Sequence, residues 1–578
     1  MILFLAAYAN SLDNSFHFDD SHVIESNAYL RSLRNVPLFF KDAHTFSSLP
    51  QNSTYRPLVT LSLALDYARG HGLAPRQFHI TQIALMLLTG VLLVVFFIPI
   101  AGEWPALFAA ALFCLHTANT ETLNLISARS ELISTIGLVA TFILYQRSPF
   151  ARRTLLYLIP LAIGALAKAP LVVFAPLLFV YAIAIEKKSW REALRISLPP
   201  LILGIVLLVF LNSMNAPEWQ SGGGSRYRYL ITQPFIWLHY FRLFFLPAGL
   251  TADTDWTTFD HWYDTRAVAG YLFLVLLAVW MIRSFRRDET RAVTFGIAWF
   301  AIALIPTSIF PLAEVANEHR IFFAYIGMVL AVVMWIESHT AAMPRAWLMA
   351  GGVCVLLALA IGTRVRNETW KTEESLWADV VAKSPMNGRA WMNFGLTQMA
   401  KGDYKGAKAS FDRAAIYVPY YSVLHINYGI VEGQLGDQPA AEREFRRALE
   451  LNPDASSHFF FARWLVEQGR GPQALPHLRQ ALRMSPALEL ARSLLLRTEI
   501  AIGDPESPCL IEETKKIDPS LVPAGYHDLE AALKGSAIAM SRNDWLSAAI
   551  ASRDALRHDP QSAEARADLE RALGKLGF

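Results

Sequence analysis

Two adjacent carboxylates sit in the most chemically suggestive stretch of the chain, Asn14-Ser15-Phe16-His17-Phe18-Asp19-Asp20-Ser21-His22. Acids at neighbouring positions on irregular backbone can divide labour, one taking a proton from a hydroxyl, the other orienting that hydroxyl or a cation. The same residues also suit the cap of a helix starting near Ser21, because a short acidic side chain accepts from a helix's first free amides. Spacing alone leaves both readings open. Further polar groups follow: Tyr55-Arg56-Pro57, then His116, Glu121, Arg129 and Glu131, then Lys168, then Arg226 and Arg228 after a glycine run, and finally Glu318-His319-Arg320. Each basic residue alone reads as a flank of an apolar helix, its stem packed and its charge in water. Together they would supply counter-charges for a lipid phosphate, to which the planar fork of arginine is well matched.

The elements that must hold these groups are apolar. Of 578 residues, 53% are hydrophobic and 17% charged, whereas soluble domains run at about 25% charged. A net charge of +3, spread along the chain, gives no footprint for nucleic acid. Three cysteines without a CxxC spacing make neither a zinc site nor a disulfide framework, so Cys114, Cys354 and Cys509 read as inert. No metal ligand set is indicated, although a divalent ion is compatible with the acids.

Residues 79–102, 104–120, 169–185, 196–217, 292–313 and 346–363 are free of Asp, Glu, Lys and Arg, and a membrane helix needs about 17 to 25 apolar residues. Slightly shorter runs at 132–146, 154–167, 267–282 and 321–336 can borrow an interfacial residue. Residues 1–12 are apolar and lack a basic n-region, so they read as the outer end of a first helix. Either the true start lies upstream of Met1 or that helix is short, and the first reading is preferred. About 11 spans are therefore expected. Arginine- and lysine-rich turns at 145–154, 186–195 and 283–291 set the cytoplasmic side. The stretch 231–246 contains His239 and Arg242 and breaks the alternation, so it is expected to be an interfacial or re-entrant helix. The loop 13–78, the polar groups above and the C-terminal part then share the opposite face. Mid-helix positions are almost all apolar, which disfavours a transporter.

From 388 onward the sequence repeats. Gly395 and Gly429, Phe411 and Phe445, Ala414 and Ala448, and Pro419 and Pro453 are each 34 apart, and Leu478, Ala481 and Pro486 continue the series. Trp391-x-x-Phe394-Gly395 with Ala407 and Phe411 fits the tetratricopeptide pattern of paired helices. A degenerate unit is expected around Ala548, Ala555 and Pro560, with an irregular one over 490–528. Such solenoids recognise peptides or extended partners. The expected organisation is an all-α chain, with a transmembrane domain over 1–363, a linker helix over 364–387 and repeats over 388–578.

The order Asn-Ser-Phe-x-Phe-Asp-Asp, Tyr-Arg-Pro-Leu, Leu-x-His-x-x-x-Thr-Glu with Ser-Ala-Arg-Ser-Glu-Leu, followed by tetratricopeptide repeats, resembles the TMTC-type transmembrane and tetratricopeptide repeat O-mannosyltransferases and their bacterial relatives. The resemblance spans almost the whole chain. It implies a GT-C glycosyltransferase fold and transfer of a sugar from a polyprenyl-phosphate carrier to a hydroxyl, with no nucleotide or obligatory metal. Carried over, it makes Asp19 or Asp20 the general base or orienting acid. Arg56, Arg129 and Arg320 become the phosphate-holding candidates, joined by Lys168, Arg226 and Arg228 from the residue reading. His22, Tyr55, His116, Glu121, Glu318 and His319 complete the candidate site. Two departures stand out. Relatives commonly read His-Pro-x-His-Thr-Glu where this chain has His116-Thr117-Ala118-Asn119-Thr120-Glu121, and many carry Lys-Glu where Lys168 is followed by Ala169-Pro170. The expected partners are the lipid bilayer, the lipid-linked sugar and a protein or peptide acceptor on the repeats. The expected location is a bacterial inner membrane with loop 13–78 and the repeats in the periplasm. The competing reading is a membrane-anchored, non-catalytic repeat scaffold, which leaves so many spans unexplained.

Overall fold

The computed structural model describes residues 1–168, 172–217, 224–340, 342–485, 488–502 and 529–577, whose regular elements are all helices, with no strand among them. The chain divides into two compact units, Met1–Asn387 and Gly388–Phe578.

Among the described residues of the first unit seven helices are long and apolar enough to cross a membrane: Pro75–Ala101, Ile126–Arg147, Trp190–Met214, Thr265–Phe285, Asp288–Ile309, Glu318–His339 and Arg345–Thr369. Four shorter apolar helices, Ile2–Asp13, Glu103–Leu115, Leu156–Ala165 and Phe174–Ala184, fall on the remaining expected spans. Their ends have local causes. The run 104–120 stops as helix at Leu115 because His116 turns extended, and its ring accepts the Ala118 amide to start the tight turn Thr117–Asn119. The first three residues of 169–185 and the start of the glycine run before Arg226 lie outside the described residues.

One helix extends beyond its apolar stretch. Residues 231–246 belong to an unbroken helix, Arg226–Phe245, with Pro234 inside it. It packs against Thr265–Phe285, where Gly270 leaves room for the Pro234–Phe235 backbone. Small residues make another tight crossing too, since a Cβ on Gly296 would lie 2.7 Å from the Ala331 amide nitrogen.

Loop 13–78 is folded. Phe16, Val23, Ile24, Phe39, Phe46, Val59, Leu63 and Phe78 form its own buried cluster, and Pro57 starts the helix Pro57–Arg69 at a position where a missing amide costs nothing. The helix Arg345–Thr369 and the following Glu373–Lys383 both lie in this first unit.

The second unit pairs Gly388–Ala400 with Tyr404–Tyr417, Ser422–Gln434 with Gln438–Leu451, and Ala455–Glu467 with Gly471–Met484, then continues in Glu489–Ile502. Leu529–Ser541, Trp545–His558 and Ala563–Leu576 follow, while Pro486, Cys509 and most of 490–528 lie outside the described residues. The repeat chemistry is steric. A Cβ on Gly429 would lie 2.8 Å from the Phe445 ring, and Ala414 and Ala448 are fully buried.

Candidate active site

The two acids point opposite ways. Asp20 is fully buried, its Oδ1 accepting the Ser127 amide at 2.7 Å and its Oδ2 the Ile126 and His17 amides at 3.2 Å each. It pins the acidic loop to the turn Ile126–Ala128 that leads into the Arg129–Arg147 helix. Burial pushes its carboxyl up to about 6, with those amides pulling the other way. Asp20 is thus a structural anchor, closed to an incoming hydroxyl. Asp19 has a side chain 69% exposed, with His22 Nε2 3.5 Å from its Oδ1. Desolvation by surrounding groups pushes it up, but the His22 hydrogen bond and the charges of His22, His319 and Arg56 hold it below the ordinary carboxylate range. An ionised carboxylate with open access is the state a general base needs.

The backbone just before Asp19 is built to present it. Phe18 has φ 51°, unusual for a bulky residue, and its ring packs on Trp377 and Trp370 with centroids 4.8 and 6.2 Å away. Both His17 nitrogens are engaged, Nδ1 with Glu373 Oε1 at 2.8 Å and Nε2 with the Trp370 carbonyl at 2.5 Å. Asn14 Nδ2 donates to Asn124 Oδ1 at 2.7 Å and to the Asn367 carbonyl at 3.1 Å. Local strain held by such surroundings marks sites where position matters.

Around Asp19 the fold collects groups from four separate loops. His22 is steadied by Ser47 Oγ and Asn52 Nδ2, 2.9 and 3.2 Å from its ring nitrogens. The Arg56 guanidinium lies over the Phe46 ring, 5.1 Å from its centroid, and its charge faces Glu131 and Asp19. Lys168 is bonded to Glu131 and also faces Arg56 and Arg320. Burial lowers both cations' affinity for the proton, with their acidic partners opposing it. His319 Nδ1 lies 2.8 Å from Glu121 Oε1, and Lys168, Glu131, Arg320 and Asp19 surround the ring. Arg320 Nη1 donates to the Glu314 carbonyl at 2.9 Å. Tyr240 holds the same loop by a two-way bond to Asn317, 2.9 Å each way.

Other expected site residues are placed elsewhere. Arg129 is fully buried and held at all three nitrogens: Nη1 pairs with Asp66 at 2.6 Å and donates to Ser62 at 2.9 Å, Nε donates to Gln82 at 3.0 Å, and Nη2 to the Phe78 carbonyl at 2.9 Å. Four of its five N–H groups are taken, and full burial closes the guanidinium to an incoming phosphate. Arg226 and Arg228 are exposed at the start of the Arg226–Phe245 helix, Arg228 pairing with Asp260 at 3.1 Å. Tyr55 donates to the Phe40 carbonyl at 2.9 Å and packs edge-on against Phe210. His116 is buried, stacked on Phe244 and bonded to its carbonyl at 2.9 Å. Glu318 is buried too, accepting the Thr251 amide at 2.5 Å. Among the described residues no three His, Cys, Asp or Glu side chains cluster as a metal site.

Residues 388–415 match the family model for the tetratricopeptide repeat. Protein O-mannosyl-transferase TMTC3 of Mus musculus is 22% identical over 505 residues, 78% of this chain and 54% of that protein. Protein O-mannosyl-transferase F38B6.6 of Caenorhabditis elegans is 23% identical over 445 residues, 72% of this chain and 62% of its own. The chain is similar to TMTC O-mannosyltransferases over most of its length. It spans about half the length of the curated relatives it matches. Among solved structures, YrrB, a TPR protein with an unusual peptide-binding site, covers 34% of this chain and 97% of its own at 16% identity, with a TM-score of 0.25.

Sequence reasoning left out Glu314, Arg366, Asp66 and Glu373. Arg366 Nη1 bonds Asp379 at 2.6 Å, and its charge faces both Glu121 and Glu318. No local pattern marks these four residues, since each meets its partner only through the fold.

Proposed function

We propose that this chain is an integral-membrane glycosyltransferase that moves a sugar, mannose by analogy with its relatives' names, from a polyprenyl-phosphate carrier to a protein hydroxyl. The reaction takes place on the extracytoplasmic face, which in a bacterium is the periplasmic side of the inner membrane. One observation carries the reading: an open, ionised Asp19 lies in one polar cluster with Arg56, Lys168, His319 and Arg320. Asp19 takes the acceptor hydroxyl's proton as its oxygen attacks the anomeric carbon. Arg56, Lys168 and Arg320 face the departing lipid phosphate and stabilise its growing charge, an effect that strengthens where water is excluded. Attack opposite the leaving group inverts the anomeric centre. The repeats bind the acceptor chain and raise its local concentration.

The test uses the purified full chain in lipid nanodiscs with polyprenyl-phosphate mannose and a Ser/Thr-containing peptide. Mass spectrometry is expected to find one hexose per modified hydroxyl, and the linkage is expected to have the anomeric configuration opposite to the donor's. No transfer, or transfer with retained configuration, contradicts the proposal.

A further inference from the structure

The Glu121–His319 pair has a capacity that the displacement above leaves unused. Glu121 lies in the short helix Thr120–Asn124 that follows Glu103–Leu115, and its side chain is 2% exposed. Its Oε1 meets His319 Nδ1 at 2.8 Å, while its Oε2 is buried with no hydrogen-bond partner among the described residues. His319 is 25% exposed, and its second ring nitrogen, Nε2, likewise has no hydrogen-bond partner among the described residues. The charged groups facing this ring are Lys168 from one loop, Glu131 and Arg320 from two helix starts, and Asp19 from the acidic loop. Those facing Glu121 from behind are Arg366, Arg320 and Glu314, with Glu318 beside them.

A carboxyl group bonded to one imidazole nitrogen sets what the other nitrogen presents. Burial pushes Glu121 up to about 8, so near neutral pH it keeps its proton. It then donates that proton to Nδ1, which leaves Nε2–H as a donor within the cluster of cations.

We propose that Glu121 and His319 together form the proton donor to the leaving lipid phosphate, opposite in role to Asp19. This rests on the glycosyl-transfer reading above. As the bond between the anomeric carbon and the phosphate oxygen breaks, its electron pair goes to the phosphate. Nε2 gives its proton to a phosphate oxygen, and Nδ1 takes the proton from Glu121 in the same motion. The products are a sugar–acceptor bond, a protonated lipid phosphate, a protonated Asp19 and a Glu121 carboxylate still bonded to Nδ1–H. Loss of the Asp19 proton to solvent, uptake of one at Nε2 and return of the Nδ1 proton to Glu121 restore the starting state. His319 is the catalytic residue of the pair, and Glu121 is its positioning and proton-supplying partner.

The experiment is the pH dependence of kcat for the full chain, with polyprenyl-phosphate mannose and a Ser/Thr peptide. Wild-type kcat is expected to fall as pH rises through about 8, because the proton-loaded form of the pair is the active one. Glu121→Gln keeps a hydrogen bond to Nδ1 but has no proton to give. It is expected to lower kcat by about 10²-fold, leave KM for the donor near wild type and abolish the alkaline limb, while Glu121→Asp restores part of the rate. His319→Gln should do the same as Glu121→Gln. Wild-type kcat in both glutamine variants, or an equal loss at every pH with the limb intact, overturns the proposal. Should neither variant fold, the wild-type profile decides, and a flat profile from about pH 7 to about pH 9 overturns it. A wild-type chain that transfers no sugar overturns both this inference and the glycosyl-transfer reading. Transfer with a flat profile overturns the inference alone.

Discussion

The two units bury opposite chemistries. In the repeats, Ala414, Phe445, Ala448 and Leu478 fill the interior, and Arg463 and Glu467 stand about half exposed at the rim. In the first unit, Val209, Leu272 and Ile361 are 66%, 59% and 65% exposed, while Arg129, Asp66, Asp20 and Glu121 are inside. An exposed apolar surface this extensive suits lipid rather than water. A buried charge persists only where it is paired and hydrogen-bonded. The first unit therefore spends its polar residues on a network near its loops, and only a few members of that network remain open.

That contrast can be broken or sharpened by substitution. The largest effect is expected at the buried ion pair. Arg129→Ala leaves Asp66 charged with no cation beside it and should cost about 3–5 kcal/mol, read as a large fall in the thermal midpoint of the first unit. A stable, active Arg129→Ala protein would mean that this network is not structural. A smaller effect is expected in the repeats. Gly429→Val drives a side chain into the Phe445 ring, 2.8 Å from the first added carbon, and overpacking of this kind costs about 1–3 kcal/mol. Helix unfolding followed by circular dichroism on heating should show it, with the turnover of a short free peptide unchanged. The smallest effect belongs to Arg228, whose pair with Asp260 is 54% and 65% exposed. Arg228→Ala should change stability by less than about 1 kcal/mol and leave donor KM unaltered. A marked rise in donor KM would return Arg228 to the phosphate site.

The sequence made the repeats legible because their packing is periodic: Gly at one position and an aromatic sixteen residues later report a single steric fit, Gly429 against Phe445. It also marked the loops that meet at the site, because the polar residues there interrupt apolar runs. Individual roles were not legible. Asp19 and Asp20 are neighbours of one type, and only the direction of each side chain separates an open carboxylate from a buried anchor. Arg129 and Arg320 both begin apolar helices, yet Asp66, fifteen residues before Thr81 and sixty-three before Arg129, claims the first. Adjacency along the chain carries no information about which way a side chain turns on irregular backbone. The helix expected over 231–246 begins earlier, at Arg226, because the polar residues 226–228 carry no apolar signal although Ser225 caps a helix there.

The division between the two acids is tested most directly by measuring sugar transfer and thermal midpoint together for Asp19→Asn and Asp20→Asn. Asp19→Asn is expected to lose about 10²–10⁴-fold in kcat at an unchanged midpoint. Asp20→Asn, which disturbs three backbone hydrogen bonds, is expected to lower the midpoint. Transfer at the wild-type rate by Asp19→Asn, or a loss of rate confined to Asp20→Asn at full stability, would contradict the assignment of Asp19 as the base.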